Sequence, residues 1–157
     1  MSDIVLRVAG VDDLGAINRV VEAAFMTWNL PERVKRLSLP HYRYDEMDLR
    51  HLDLVLAELD AEVVGVAAWE AANPADCPGG SAGLLLHGLY VLPTRMGRGI
   101  GTRLLGAARA AAQRQGYAGV LVKAQADAVG FFKRAGLQAL PIEDAARHYA
   151  ARLWCAV

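Results

Sequence analysis

The sequence has no excess of charge of either sign, few aromatic residues and two cysteines. Lysine plus arginine and aspartate plus glutamate both number 17 in the 157 residues, so the formal net charge is zero. A balanced charge with no basic stripe gives no reason to expect a nucleic-acid partner. Cys77 and Cys155 match no metal or redox spacing, and we interpret them as free thiols in a reducing compartment, with no metal site expected.

Long apolar stretches are also absent. Although 54% of the residues are apolar, no 18 of them follow one another, so no membrane span is expected. The segment Met1 to Arg7 carries Asp3 and does not have the pattern of a signal peptide. We expect a soluble, cytoplasmic protein with a single domain over residues 1–157.

Apolar periodicity predicts the elements of the first half. The predicted elements are a strand at Ile4 to Val8, a helix with Leu14, Ile17, Val21, Phe25 and Trp28 on one face, and a hairpin of Leu52 to Leu59 and Val63 to Trp69. Asp12 or Asp13 is expected to cap the helix. Pro31 and Pro40 interrupt the next stretch, and the segment 41–46 shows no clear pattern.

The second half alternates strands and helices. In chain order we predict a loop at Asn73 to Gly83, a buried strand at Leu84 to Leu92, a helix at Thr102 to Gln115, a strand at Ala118 to Ala124, a short helix at Ala126 to Ala135 and a last strand at Arg147 to Val157. Gly116 and Gly136 end the helices, and Gly88 suggests a bulge or a close backbone approach. This order indicates a mixed α/β fold.

The turn between the buried strand and the next helix is rich in glycine. Residues 93–105 read PTRMGRGIGTRLL. The dinucleotide fingerprint fails, because its third glycine falls on Thr102 or Leu104, and the triphosphate-binding loop fails because no Gly-Lys pair exists. A turn that aims backbone N–H groups at one anion, with charge added by Arg98, and a merely flexible connection both remain open at this point.

Two motifs in the right order resemble the Gcn5-related N-acetyltransferase (GNAT) superfamily. The run Leu89 to Pro93 followed by Gly99 and Gly101 resembles the family's apolar-x-Val-x-Pro strand end and its Gln/Arg-x-x-Gly-x-Gly/Ala turn. Ala128, Phe131 and Gly136 match a later Asn-x-x-Ala-x-x-Phe-Tyr-x-x-x-Gly-Phe helix. The chain departs from the pattern at three informative positions, which are Met96 for Gln or Arg, Gln125 for Asn and Phe132 for Tyr.

The resemblance implies a fold, a cosubstrate and a set of binding residues. The implied fold is an acyl-CoA N-acyltransferase fold with a mixed, mainly antiparallel sheet flanked by helices. Acetyl-CoA would be the acyl donor, with its pyrophosphate in the turn and its pantetheine arm along the strand. The implied contacts are Leu89, Tyr90, Val91, Gly97, Arg98, Gly99, Ile100, Gly101, Thr102, Gln125, Phe131 and Phe132.

The same resemblance implies direct transfer of the acetyl group to an amine. A backbone N–H of Leu89 or Val91 would stabilise the oxyanion, and His87 or, as second choice, Glu70 would be the general base. Because Phe132 replaces the tyrosine that protonates the leaving thiolate in many members, Tyr90 or water would take that role. A non-catalytic acyl-CoA-binding module is the alternative function.

The acceptor is expected to be a primary amine of a small molecule or peptide. The family places its acceptor near the first helices, where this chain has a polar and aromatic set: Phe25, Trp28, Asn29, His41, Tyr42, Tyr44 and Asp45. A surface loop would suit the same residues. The apolar tail from Ala150 to Val157 is either an ordinary last strand or the edge of a homodimer.

Overall fold

The sheet and helices of the chain are described for residues 3–148 and 151–157 by a computed structural model. The helices are α1 (Leu14–Phe25), α2 (Glu32–Tyr42), α3 (Glu46–His51), α4 (Ile100–Arg114) and α5 (Val129–Arg134). The strands are β1 (Val5–Val8), β2 (Asp53–Leu59), β3 (Glu62–Ala71), β4 (Gly83–Val91), β5 (Gly119–Lys123), β6 (Gln138–Ala139) and β7 (Arg152–Ala156).

The seven strands form one sheet in the order β1-β2-β3-β4-β5-β7-β6. β1 pairs antiparallel with β2, and β7 pairs antiparallel with both β5 and β6. β4 and β5 are parallel, and α4 is the crossover connection that parallel neighbours require. The predicted mixed, mainly antiparallel α/β fold is confirmed.

The last strand differs from its prediction in two respects. It begins at Arg152, whereas the sequence suggested a start near Arg147, and positions 149 and 150 lie outside the described residues. β7 is hydrogen-bonded on both sides, to β5 and to β6, so the idea that this strand is an open dimer edge is wrong.

The residues pack into two units, each built from separate stretches of chain. The first unit contains the chain as far as Ala68 together with Gly88–Leu105. Its core joins α1 to the hairpin through residues such as Ile17, Val21 and Leu56, which are fully buried. The second unit contains Trp69–His87 and the chain from Gly106 onward, and includes a small core around Ala72, Cys77 and Leu121.

Local turn chemistry explains most boundaries. Asp60 and Ala61 have φ of 53° and 63°, as the two-residue turn of a right-twisted hairpin requires. Gly116 and Gly136 follow their helices with φ of 78° and 99°, which confirms them as helix stops. α1 ends at Phe25, and Trp28 therefore lies beyond the helix in which it was predicted.

Two helices were missed in the region of the two prolines. Pro31 is the N-cap of α2, and Pro40 lies inside its last turn, where a missing N–H removes a single intrahelical bond. α3 starts at a capping box in which Asp45 accepts a hydrogen bond from the Asp48 N–H at 3.0 Å and donates its own N–H to the Asp48 carboxylate at 2.8 Å.

Candidate functional site

The glycine turn before α4 places two residues in a backbone conformation that residues with a Cβ avoid. Gly97 and Gly99 have φ of 80° and 79°, in the left-handed region that favours glycine. A Cβ on either glycine would meet no atom within 4 Å. Glycine is therefore required here by the backbone angle, and the open space leaves the backbone accessible to an incoming group.

The N-terminus of α4 presents backbone N–H groups next to this turn. The Arg103 N–H donates to the Gly99 carbonyl at 3.0 Å, so the N–H groups of residues 100–102 have no acceptor within the helix. These groups carry the positive end of the helix dipole, and the exposed side chains of Arg98 and Arg103 add full charges. The donors suit a phosphate-bearing group.

Gly65 on β3 holds the start of α4 against the sheet. A Cβ at Gly65 would lie 2.8 Å from Ile100 Cγ2 and 2.9 Å from Leu104 Cδ1. Because any larger residue would push α4 outward, this glycine fixes the position of the N–H groups described above. In the sequence, an isolated glycine within a strand pattern is the signal that indicates such a close approach.

Alternate residues of β4 occupy different environments. The Tyr90 side chain is 7% exposed, whereas Leu89 and Val91 are half-buried, as the period of two in a strand requires. The parallel register with β5 covers Gly83 to Leu86, and β4 continues to Val91. Its end is attached to β3 by a hydrogen bond from the Leu92 N–H to the Val64 carbonyl at 2.8 Å.

Gly88 makes room for two tyrosines of the first unit. A Cβ at this position would collide with the Tyr44 hydroxyl and lie 2.7 Å from Tyr90 Cε2. The close approach that the sequence indicated at Gly88 is therefore made by side chains. The backbone of Tyr44 is held by Asn18. The Asn18 side-chain amide donates to the Tyr44 carbonyl and accepts from its N–H, both at 2.8 Å.

Five aromatic rings form a continuous cluster in the first unit. The Phe25 centroid lies 4.7 Å from that of Trp28 and 4.8 Å from that of Tyr42, and Trp28 lies 5.3 Å from Tyr42. Trp28 and Tyr44 each lie 6.4 Å from Tyr90. Four members of the set predicted for the acceptor region therefore lie in this cluster, with Trp28 and Tyr42 half-buried. The other three, Asn29, His41 and Asp45, are exposed, and a role in acceptor binding stays a prediction.

Burial makes Tyr90 a weak acid. Removal of its phenol from water raises the pKa of Tyr90 to about 12, with a further increase from Tyr42 and an opposing hydrogen bond with Tyr44. Desolvation disfavours the phenolate, so the Tyr90 hydroxyl stays protonated at neutral pH. A buried, weakly acidic phenol is a poor replacement for the tyrosine whose position Phe132 occupies in this chain.

The two candidate bases lie on neighbouring strands of the sheet. His87 is exposed on β4, and Glu70 is half-buried near the end of β3. His87 and Leu89 are two residues apart on one strand, so both side chains leave the same face of β4. The role of each as a base stays a prediction.

The later motif folds as a short 3-10 turn followed by α5. Gln125 caps the turn, and its carbonyl accepts the Ala128 N–H at 2.9 Å. Phe132 is 5% exposed and contacts the half-buried Phe131 edge to face, with centroids 5.2 Å apart. Phe132 therefore serves the packing of the second unit, and cofactor contacts by these residues stay predictions.

Three further features bear on the expected chemistry. In the part of the chain that the structure describes, no helix is long and apolar enough to cross a membrane. Across residues 3–148 and 151–157 no three metal-ligating side chains come together. Cys77 and Cys155 are buried and free, and burial raises the pKa of the Cys77 thiol.

Comparison with known proteins supplies a family and a fold. The model of the acetyltransferase (GNAT) family matches residues 21–137. No curated protein is significantly similar to the chain in sequence.

Several solved structures have the same fold. A GCN5-related N-acetyltransferase of Rhodopseudomonas palustris has a TM-score of 0.76 and 21% identity over 100% of this chain and 98% of its own. The PaiA N-acetyltransferase of Thermoplasma acidophilum, in complex with coenzyme A, has a TM-score of 0.74 and 16% identity over 97% and 96%. A GNAT acetyltransferase of Brucella melitensis, in complex with acetyl-CoA, has a TM-score of 0.67 and 22% identity over 98% and 88%.

Proposed function

The chain belongs to the acetyltransferase (GNAT) family, and we propose that it is a single-domain N-acetyltransferase that moves an acetyl group from acetyl-CoA directly to a primary amine. The observation that carries the proposal is the glycine turn, in which Gly97 and Gly99 have positive φ and α4 presents its first N–H groups to open space. Similar structures from Brucella melitensis and Thermoplasma acidophilum hold acetyl-CoA and coenzyme A.

The turn would bind the pyrophosphate of the acyl donor. Backbone N–H groups of residues 97–102 and the side chain of Arg98 would neutralise its charge. The donors are neutral dipoles held by the helix, so they need little reorganisation when the anion arrives. A rigid cradle of this kind also fixes the remainder of a long cosubstrate.

The end of β4 would hold the pantetheine arm. The five residues 87–91 lie beyond the register with β5, and an extended arm can add to such a backbone as another strand would. Bound acetyl-CoA would supply a thioester carbonyl as the electrophile. The backbone N–H of Leu89 or Val91 would donate a hydrogen bond to the oxygen on which charge develops.

Removing a proton from the acceptor is the larger energetic demand. A lysine-like amine with a pKa of about 10.4 must lose its proton at a cost of about 4.6 kcal/mol at pH 7. His87, which leaves β4 on the same face as Leu89, is the first candidate for this work, and Glu70 is the second.

The missing proton donor for the leaving thiolate is the smaller energetic demand. A thiol that titrates near pKa 8.5 can leave as thiolate at pH 7 for a cost of about 2 kcal/mol. Phe132 would therefore slow the reaction without forbidding it, and water would protonate the thiolate because the Tyr90 phenol is buried. The absence of a hydroxyl at Phe132 is also what favours the second candidate function, a non-catalytic acyl-CoA-binding module.

The acceptor would be an amine of a small molecule or peptide near the aromatic cluster. The half-buried Trp28 and Tyr42 offer an apolar surface beside polar residues such as Asp45. We further propose a cytoplasmic enzyme with no nucleic-acid or membrane partner and with a possible homodimer.

Release of free thiol from acetyl-CoA across a broad panel of amines tests the proposal. We expect acetylation of at least one primary amine, with His87→Ala or Glu70→Ala losing turnover between about pH 6 and about pH 9 and His51→Ala, an exposed histidine at the end of α3, retaining it. Full turnover in both variants would reject both base assignments. Binding of acetyl-CoA without thiol release on any acceptor would support the non-catalytic module.

A further inference from the structure

A group of charged side chains in the second unit carries more positive than negative charge. We define the charged cluster as Asp76, Lys123, Arg147, His148 and Arg152. The Asp76 carboxylate, with its side chain 10% exposed, pairs with Lys123 Nζ at 3.3 Å and with Arg147 Nε at 3.2 Å. Arg152 donates a hydrogen bond to the backbone carbonyl of Asp76 at 2.5 Å, so the carboxylate pairs with two of the three cations and leaves Arg152 without an ion pair.

The strand register adds to this imbalance. β5 and β7 pair so that Lys123 lies directly opposite Arg152, and like charges in that arrangement repel each other. Among the described residues no carboxylate oxygen lies within 4.0 Å of Arg152. Besides the Asp76 carbonyl, its hydrogen-bond partners are the Pro141 carbonyl at 2.8 Å and His148 Nδ1 at 3.3 Å.

Arg152 is a buried cation with unused hydrogen-bonding capacity. The residue is 4% exposed, and within residues 3–148 and 151–157 its Nε has no hydrogen-bond partner. A buried charge without an ion pair is unfavourable, and neutral carbonyls compensate for it only in part. The cluster is therefore short of negative charge at its buried side.

The neighbouring groups do not supply that charge. His148 Nδ1 lies 3.1 Å and 3.2 Å from the N–H groups of Glu143 and Asp144, so this nitrogen is an acceptor. Nε2 lies 3.3 Å from the Ala75 carbonyl, and an imidazole carries no negative charge. In the described part of the chain the carboxylates of Glu143 and Asp144 form no ion pair with the three cations.

We propose that the charged cluster is a binding site for an anionic group, a carboxylate or a phosphate, held by Lys123 and Arg147. The side chains of these two residues are 40% and 41% exposed, so solvent reaches the cluster on their side. The buried Arg152 adds a charge that water screens little. The proposal is separate from the acyl transfer proposed above, since none of these residues was assigned a role in it. The anionic group would be a free anion.

Thermal unfolding in inorganic phosphate, compared with sodium chloride at equal ionic strength, tests the site. We expect phosphate to raise the Tm of the wild-type chain. Lys123→Gln and Arg147→Gln should each lose most of that phosphate-specific rise, while Lys133→Gln, an exposed lysine on α5, should keep it. Asp76→Asn should enlarge the rise, because removing the only carboxylate increases the attraction for an anion. In the Gly99→Glu variant, phosphate should still produce the part of the Tm increase that depends on Lys123. That result would separate this site from the glycine turn.

Opposite results would overturn the proposal. If Lys123→Gln and Arg147→Gln lower the Tm but respond to phosphate as the wild type does, the cluster has a structural role only. An unchanged phosphate response in Asp76→Asn would have the same meaning.

Enzyme kinetics check that the site is separate from the acyl transfer. Lys123→Gln should lose the phosphate response and keep the KM of the wild type for amine acceptors. The phosphate measurement needs no turnover, so a failure of the proposed acetyltransferase activity does not affect it.

Discussion

The glycine turn of the first unit and the charged cluster of the second unit are the two proposed anion sites, and they would use different groups. The turn would offer backbone N–H groups from the consecutive residues 97–102, in a conformation set by two glycines with positive φ. The charged cluster uses side chains from a loop, from β5, from the chain before β7 and from β7 itself.

This difference separates two ways of binding the same charge. Backbone N–H groups are neutral and exposed, so the turn avoids the desolvation of fixed charges and depends on geometry. The cluster places like charges near each other around one carboxylate, so its energy depends on charge balance and on salt. Substitutions that change the backbone angle should therefore weaken anion binding at the glycine turn, and substitutions that change the charge should alter it at the charged cluster.

The largest effect is expected at the turn. Gly99→Glu combines a residue that disfavours a φ of 79° with a carboxylate where the pyrophosphate would bind. We expect the affinity for acetyl-CoA to fall on the order of 100-fold, since charge-assisted hydrogen bonds are worth about 2–3 kcal/mol. Isothermal titration calorimetry measures this loss.

The matched control for that prediction is Gly106→Glu. Gly106 is an exposed residue within α4, where a Cβ would meet no atom within 4 Å, so the variant adds the same charge without strain. Unchanged affinity in Gly99→Glu, or an equal loss in both variants, would contradict the assignment of the turn.

The next effect is expected at the centre of the charged cluster. Asp76→Asn leaves Lys123 and Arg147 without their carboxylate, and we expect a loss of about 2–3 kcal/mol in the free energy of unfolding, because partly exposed partners soften the usual penalty. Urea unfolding measures the loss, and added salt should recover part of it. Asp53→Asn, an exposed aspartate at the start of β2, is the control. Equal stability of the two variants would show that the cluster is not electrostatically strained.

The two regions also differ in how far the sequence reveals them. The turn was found because its residues are consecutive and its motif is local, and the neighbouring strands and helices followed from apolar periodicity. The charged cluster joins positions 76, 123, 147 and 152, and only the register of β5 with β7 brings Lys123 opposite Arg152. No local pattern specifies such a register.

The same reason explains the missed helices and contacts. α2 and α3 lie in a polar stretch that the two prolines were expected to interrupt, although Pro31 caps α2 and Pro40 occupies its last turn. The spaces beside Gly65 and Gly88 are set by residues distant in sequence, among them Ile100 and Tyr44. A glycine within a strand indicates that another residue packs closely against the backbone, but it does not identify that residue.

A smaller effect should show that the first unit positions β4 by packing rather than by charge. Gly88→Ala forces a Cβ against the Tyr44 hydroxyl and Tyr90 Cε2, and such overpacking costs about 1–2 kcal/mol. Urea unfolding should give the same loss at low and high salt, in contrast to Asp76→Asn. Adding Tyr44→Phe should recover part of the stability by removing one of the two clashing atoms. Additivity of the two changes would rule out the clash.

The smallest effect is expected for an exposed ion pair of the first unit, which is the surface counterpart of Asp76. Asp13 accepts two hydrogen bonds from Arg7, at 2.8 Å and 2.9 Å, and this guanidinium lowers the pKa of the carboxyl from 3.8 to about 2. A carboxyl whose pKa is lower in the folded chain stabilises the fold at pH values above its pKa in the unfolded chain. This stabilisation is lost as the pH falls from about 4 to about 2. Because the Arg7 side chain is 42% exposed, we expect Asp13→Asn to cost less than about 1 kcal/mol at pH 7. Urea unfolding at about pH 7 and near pH 2 should show a difference from the wild type at neutral pH that disappears at the acid end. A difference at pH 7 as large as that of Asp76→Asn would mean that burial does not set the strength of these pairs.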